Sequence, residues 1–346
     1  MGATLSRSGL SRRTALGGTA LVLGANLPDL DVLAYLAGPA ADLEWRRGWS
    51  HGVLALAILP FVLAGGLVLL DRLTRGARRD VNPAELVPKQ LLLLSSIAIL
   101  SHPALDALNT YGVRWLMPFS GRWYYGDVLF IVDPWVWLAL GAGVLRSGQR
   151  PARWALVLVA FYMGSMWISG SIASRIIARE IEALSGKPVR QVMAGPVPLN
   201  IFARNFVAKQ DTEFRVGGFH WLTRPHVNLS EVSSFPRGRP TQRAFAVAES
   251  SLVMRRFLGW ARFPTFVVEE TGTNQYLVHA VDLRYARRPG DNFGTVSIPV
   301  RLRSASVPAR LNELGSRSPV FLEGEGMDML VSFTYCIQNT AYTGPS

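Results

Sequence analysis

Cysteine and charge are what this chain has least of: a single cysteine, Cys336, and 17% charged residues in 346. A lone cysteine excludes an internal disulfide and a cysteine-based metal cluster, and leaves the redox compartment open. The low charge accompanies 49% hydrophobic residues and a positive mean hydropathy, too apolar for an ordinary soluble protein of this size. A membrane protein, with the lipid bilayer as its main partner, is the reading that follows. A formal net charge of +12 would by itself suit nucleic acid. The basic residues, however, stand in short groups beside apolar runs rather than along one face, which fits membrane flanks and no nucleic-acid partner. No internal repeat of fixed period is visible either.

About 20 predominantly apolar residues cross a bilayer as a helix. Residues 51–70, 89–108, 128–145 and 154–172 qualify, and a shorter stretch, 14–27, ends at Pro28 and is expected to insert tilted or in part. The basic start ahead of that stretch has the outline of a signal peptide, but it runs into "PDLD" rather than a small-residue cleavage site. Met-Gly with Ser6 fits the crude myristoylation pattern, a chance match in a multispanning protein. Arginines in short connections favour the cytoplasm. With five crossings, Arg7, Arg12 and Arg13, the loop "DRLTRGARRD" and the loop "RSGQRPAR" all fall on one side. The N-terminus is therefore expected on the cytoplasmic side of the membrane, and everything after Ile172 outside. Beyond "SRIIAREIEALSG", prolines and glycines punctuate short alternating runs such as "NQYLVHAVDLRY". The expected fold is a membrane α-helical domain of about five segments, residues 1–180, followed by a mostly β extramembrane domain, 187–346.

Four stretches concentrate polar residues that a membrane segment tolerates badly: "NLPDLD" with Asp29 and Asp31, "RRGWSHG" with His51, "SHPALD" with His102 and Asp106, and "YYGDVLFIVDP" with Asp127 and Asp133. On the topology above all four meet at the outer face. Ionisable groups at membrane depth are costly and normally pair or line a functional cavity. Two imidazoles and five carboxylates form a metal-ligand inventory; mixed nitrogen and oxygen donors suit zinc, manganese or iron, with zinc or manganese expected, as one or two ions. His102 and Asp106, at i and i+4, share a helix side, with Pro103 kinking or fraying the turn between them. Asp29 and Asp31 cannot share a helix face but point one way in extended chain after Pro28.

Such a site performs hydrolysis best. Arg46, Arg47 and Arg122 are candidates to hold an anionic, lipid-like substrate, and Asp127 or Asp133 a catalytic proton acceptor. Plainer uses stand beside each: His51 as an interfacial cap, Asp29 as a helix cap, Asp133 before Pro134 as a helix start, Arg46 and Arg47 as interface anchors. The other class of function is non-enzymatic, a membrane scaffold or stress-related protein whose polar or metal cluster merely ties helix ends together. His279 alternates within a strand and reads as a satisfied sheet position.

In order along residues 12–145, "PDLDVLAYL", "WRRGWSHGVLALAILP", "LSHPALDALNTYGVRWLMPFSGRWYYGD" and "FIVDPW" resemble the YdjM-like family of bacterial inner-membrane proteins described as metal-dependent hydrolases. The resemblance implies a metal held by ligands drawn from Asp29, Asp31, His51, His102 and Asp106, with Asp127 and Asp133 as further candidates. Members commonly carry a Thr-His pair ahead of the basic stretch; residues 1–11 contain no histidine, and a start further upstream is the expectation.

Overall fold

The computed structural model describes residues 1–75, 85–291 and 293–302. Part of the expected cytoplasmic arginine loop, the distal part of the β domain and Cys336 lie outside the described residues. The helical part runs α1 (Gly2–Arg7), α2 (Gly17–Gly24), a 3-10 helix (Leu27–Ala37), α3 (Pro39–Trp45), α4 (Val53–Arg75), α5 (Pro88–Asp106), α6 (Pro134–Leu145) and α7 (Arg150–Ser185). Among the described residues three stretches are long and apolar enough to cross a membrane: Gly17–Ala37, Val53–Thr74 and Arg150–Ser185. α6 is apolar but only 12 residues long.

Burial explains why α5 is less apolar than its neighbours. Leu91, Leu94 and Ala98 pack against Ala20 and Leu21 of α2 and Ala64 and Leu67 of α4, so α5 meets protein where the others can meet lipid. A helix enclosed in this way tolerates Ser95, which is fully buried. On α4 and α7 the pattern is inverted, with Phe61, Val62, Leu69, Trp154 and Phe161 turned outward. Large outward apolar side chains at this density mark a lipid-facing surface rather than a solvated one.

α7, at 36 residues, continues past its apolar part. Its distal face, Ala173, Ile177 and Ile181, is covered by Ala194, Phe206, Ala208 and Phe219 of an antiparallel sheet. That sheet comprises β1 (Gln191–Pro196), β2 (Ala203–Lys209), β3 (Glu213–His220) and β4 (His226–Val227) in order, with β5 (Ser233–Pro236) also pairing with β3. Helices and first sheet form one compact unit, Met1–Arg237, and the chain from Gly238 forms another. The second unit opens with two short helices, α8 (Arg243–Glu249) and α9 (Leu252–Trp260), followed by an antiparallel sheet of β6 (Pro264–Gly272), β7 (Gln275–Asp282) and β8 (Thr295–Arg301). His279 sits buried in β7, its Nδ1 2.7 Å from Ser297 Oγ on β8.

Between α5 and α6 the chain folds back on itself. Val128 and Leu129 both donate their N–H to Leu108 O, at 2.8 and 2.9 Å, and Val113 and Tyr124 exchange backbone hydrogen bonds. Gly126 lets this happen: a Cβ there would stand 2.6 Å from both Ala107 O and Leu108 Cα, which are backbone and cannot swing aside. Gly126→Ala is therefore expected to cost about 1–3 kcal/mol through overpacking. A melting temperature in detergent micelles equal to that of wild type would show that the close approach carries no weight.

Candidate metal centre

The C-terminal turn of α5 carries two of the candidate ligands. α5 runs through Pro103 to Asp106 without ending, and Ala107 N–H donates to Pro103 O at 2.8 Å, so the expected fraying is not what the chain does. His102 and Asp106 therefore stand one above the other, Nε2 to Oδ2 3.4 Å. His51 precedes α4 and is fully buried; its Nε2 lies 3.2 Å from the same Asp106 oxygen. Asp29 Oδ1 closes the group, 3.3 Å from His102 Nε2, on a side chain that is 55% exposed.

Asp29 and Asp31 do not point the same way, because residues 27–37 form a 3-10 helix instead of extended chain. At 3.0 residues per turn, positions i and i+2 diverge by about two thirds of a turn. Asp29 faces His102, whereas Asp31 lies behind His51: its Oδ2 is 3.2 Å from His51 Nδ1 and accepts from Arg47 N–H at 2.7 Å and from Ser50 Oγ–H at 2.9 Å. On the other ring, His102 Nδ1 lies 2.8 Å from Ala25 O. A proton on Nδ1 of each ring satisfies both contacts and leaves both Nε2 lone pairs directed at the shared space, the arrangement by which backing groups orient metal-binding histidines.

Three atoms in that space, His51 Nε2, His102 Nε2 and Asp106 Oδ2, are buried and have no hydrogen-bond partner. One ligand atom from each of Asp29, His51, His102 and Asp106 can be chosen so that all four lie within 4.8 Å of one another. Zinc-to-nitrogen bonds of about 2.0–2.1 Å arranged tetrahedrally place neighbouring donors about 3.3 Å apart. Three of the six separations, 3.2, 3.3 and 3.4 Å, match that spacing, within a set that spans up to 4.8 Å. The four residues thus form a group that can hold a metal ion.

Each of the three arginines has a contact within the protein. Arg47, with left-handed φ of 49°, turns inward, its Nη2 3.1 Å from Asp106 Oδ1 and its Nη1 donating to Asn109 Oδ1 at 2.9 Å. Arg46 lies 3.5 Å from Asp42, whose carboxyl burial pushes up against the pull of that guanidinium. Arg122 lies over the Tyr124 ring, 5.4 Å from its centre. Arg114, which sequence reasoning missed, is buried and donates to Arg46 O at 3.0 Å and to Glu44 O. Its guanidinium fills the space a Cβ on Gly48 would need, 2.5 Å away. Asn109 was missed as well; its Oδ1 also receives the N–H groups of Tyr111 and Gly112, and the turn-forming "NTYG" was its available signal.

Asp127 and Asp133 are not brought into the group of four. Asp133 caps α6, accepting from Trp135 and Val136 N–H at 3.1 and 3.3 Å, and its other oxygen accepts from Tyr162 O–H at 3.1 Å. Asp127 lines a small cleft of about 110 Å³ with Gly170 and Ser174 of α7.

A family model described as YdjM inner membrane protein matches residues 1–174. The Bacillus subtilis (strain 168) protein named "Uncharacterized protein YfhP" is similar, 23% identical over 178 residues, which are 49% of this chain and 51% of that protein. The chain thus spans about half the length of the curated relative it matches, and no solved structure matches it. The match covers half of the sequence and takes in all four converging residues, so the chain belongs to the YdjM family of inner membrane proteins.

Proposed function

We propose that the protein is a membrane-bound metal-dependent hydrolase acting on a phosphoester or ester of a lipid or lipid-linked substrate at the outer membrane face. The observation that carries this reading is the convergence of three buried, unpartnered donor atoms, His51 Nε2, His102 Nε2 and Asp106 Oδ2, beside a half-exposed carboxylate, Asp29. Leaving such atoms without partners would be costly, and a cation of the zinc or manganese type repays it. When bound, such an ion polarises an ester or phosphoryl oxygen and lowers the pKa of water. The chain's own residues hold and orient: Asp31 and Ala25 O fix the two imidazoles, Arg47 fixes Asp106, and the exposure of Asp29 gives the side from which a substrate reaches the site. Of the two candidate proton acceptors, Asp133 is engaged as the cap of α6 and by Tyr162, and Asp127 lines the cleft against α7. Arg47 acts by positioning Asp106, and Arg46 and Arg122 stay the candidate anion-holding groups.

A second reading has its own support. Four protein donors fill a tetrahedron, as in structural zinc sites, and that count favours a non-enzymatic scaffold whose ion ties α5 to the His51 turn. Purified protein reconstituted with zinc or manganese, assayed on generic phosphodiester and carboxylic ester probes, separates the two. The hydrolase reading expects turnover that chelation removes and that His102→Ala lacks. Metal retained at one equivalent with no turnover on either probe class would favour the scaffold.

A further inference from the structure

An apolar groove of about 860 Å³, within the range of small-molecule sites, is lined by α6, α7 and loops of the first sheet. Its α7 wall is Leu158, Phe161, Ile168 and Ile172, all inside the apolar stretch of that helix, and its α6 wall is Trp135 and Ala139. The end toward the first sheet is closed by Ile201 and Phe202 from the β1–β2 connection and by Trp221 after β3. That connection is bound to α6, with Trp135 Nε1–H donating to Leu199 O at 3.3 Å. Leu199, Phe202 and Leu222 on these loop tips are 63%, 48% and 60% exposed, which in water would be an aggregation-prone edge and at a membrane is an apolar foot.

We propose that this groove holds one acyl chain of a bilayer glycerophospholipid from the leaflet on the side of the first sheet. The occupant follows from the surroundings. A cleft in the flank of a membrane-crossing helix opens into hydrocarbon, so chains fill it continuously with the bilayer that touches the rest of α7. The polar end is indicated by the Trp221 ring, which lines the groove where the first sheet meets it. Tryptophan rings favour the headgroup level of a bilayer, so this end of the groove is its interfacial end. The lipid therefore lies with its glycerol end toward Trp221 and its methyl end toward mid-membrane. This inference rests on α7 crossing the bilayer and is independent of the metal centre.

The test uses the full chain in nanodiscs of phosphatidylethanolamine and phosphatidylglycerol carrying a trace of phospholipid with a diazirine in one acyl chain. After photolysis and peptide mapping, adducts are expected on residues 158–172 and around Phe202. Ser165→Trp fills the groove and is expected to remove those adducts, while Val157→Trp, on the same helix but outside the groove, leaves them. Adducts spread evenly over α4 and α7 and indifferent to Ser165→Trp would overturn the proposal, leaving only annular lipid. Adducts absent from the groove, with chain-to-chain crosslinks there instead, would overturn it in favour of a second copy.

Discussion

Asparagine at position 106 is expected to weaken zinc binding by at least about 100-fold, more than the loss of any group that merely orients a ligand. Asp106 is the hub of the cluster. Its Oδ2 approaches both imidazoles, at 3.2 and 3.4 Å, while its Oδ1 meets Arg47 at 3.1 Å. The carboxamide keeps the shape and removes the charge, leaving Arg47 facing the imidazoles without a carboxylate between them. Asp31→Asn should cost only about 10–100-fold, because Asp31 acts through His51. Titration of both variants with zinc against a competing chelator gives the comparison. Equal losses would make Asp31 a ligand in its own right, and wild-type affinity in the Asp106 variant would end the metal reading.

Arg204→Ala is expected to lower stability by about 3–5 kcal/mol, combining a cavity with lost hydrogen bonds. Arg204, in β2, is completely buried. Its guanidinium donates to Ala194 O of β1 at 2.9 Å and to Met166 O of α7 at 2.7 Å, with Nε 3.3 Å from Ser169 Oγ. Burial pushes its pKa down to about 10, so it remains charged at neutral pH. It is a polar tie between the sheet and the helix, backed by the apolar contacts of Ala173, Ile177 and Ile181. At about 2–4 °C per kcal/mol for chains of this size, the melting temperature in detergent should fall by roughly 6–20 °C. A fall of under about 2 °C would show that the apolar contacts alone hold the sheet to α7.

What was legible in the sequence follows from what periodicity and cost can encode. Apolar runs announced the helices, and ionisable groups at their ends announced a site because such groups need compensation. Asp29, His51, His102 and Asp106 do converge. Direction was harder to read. Whether Asp31 points with Asp29 depends on the local helix type, and whether Arg47 points outward depends on a left-handed backbone that only the fold imposes. Asp133 before Pro134 carried an honest capping signal, and the cap is what it makes. Arg204 was silent, since an arginine in an alternating run looks like any outward strand position until something covers that face. The attachment of the first sheet to the helices was hidden for a similar reason: the change of texture near residue 187 marks a switch of secondary structure, whereas the compact unit continues to Arg237.

α7 has one further consequence. An unbroken helix of 36 residues is about 54 Å long, against about 30 Å of hydrocarbon, so roughly 16 residues stand clear of it. Because no hinge interrupts it, α7 acts as a ruler and a protractor together: it sets both the height of the first sheet above the bilayer and the compass bearing it faces. Each residue added to its exposed portion would lift the sheet by about 1.5 Å and swing it by about 100°, carrying Phe202 and Trp221 away from the helices they now overhang.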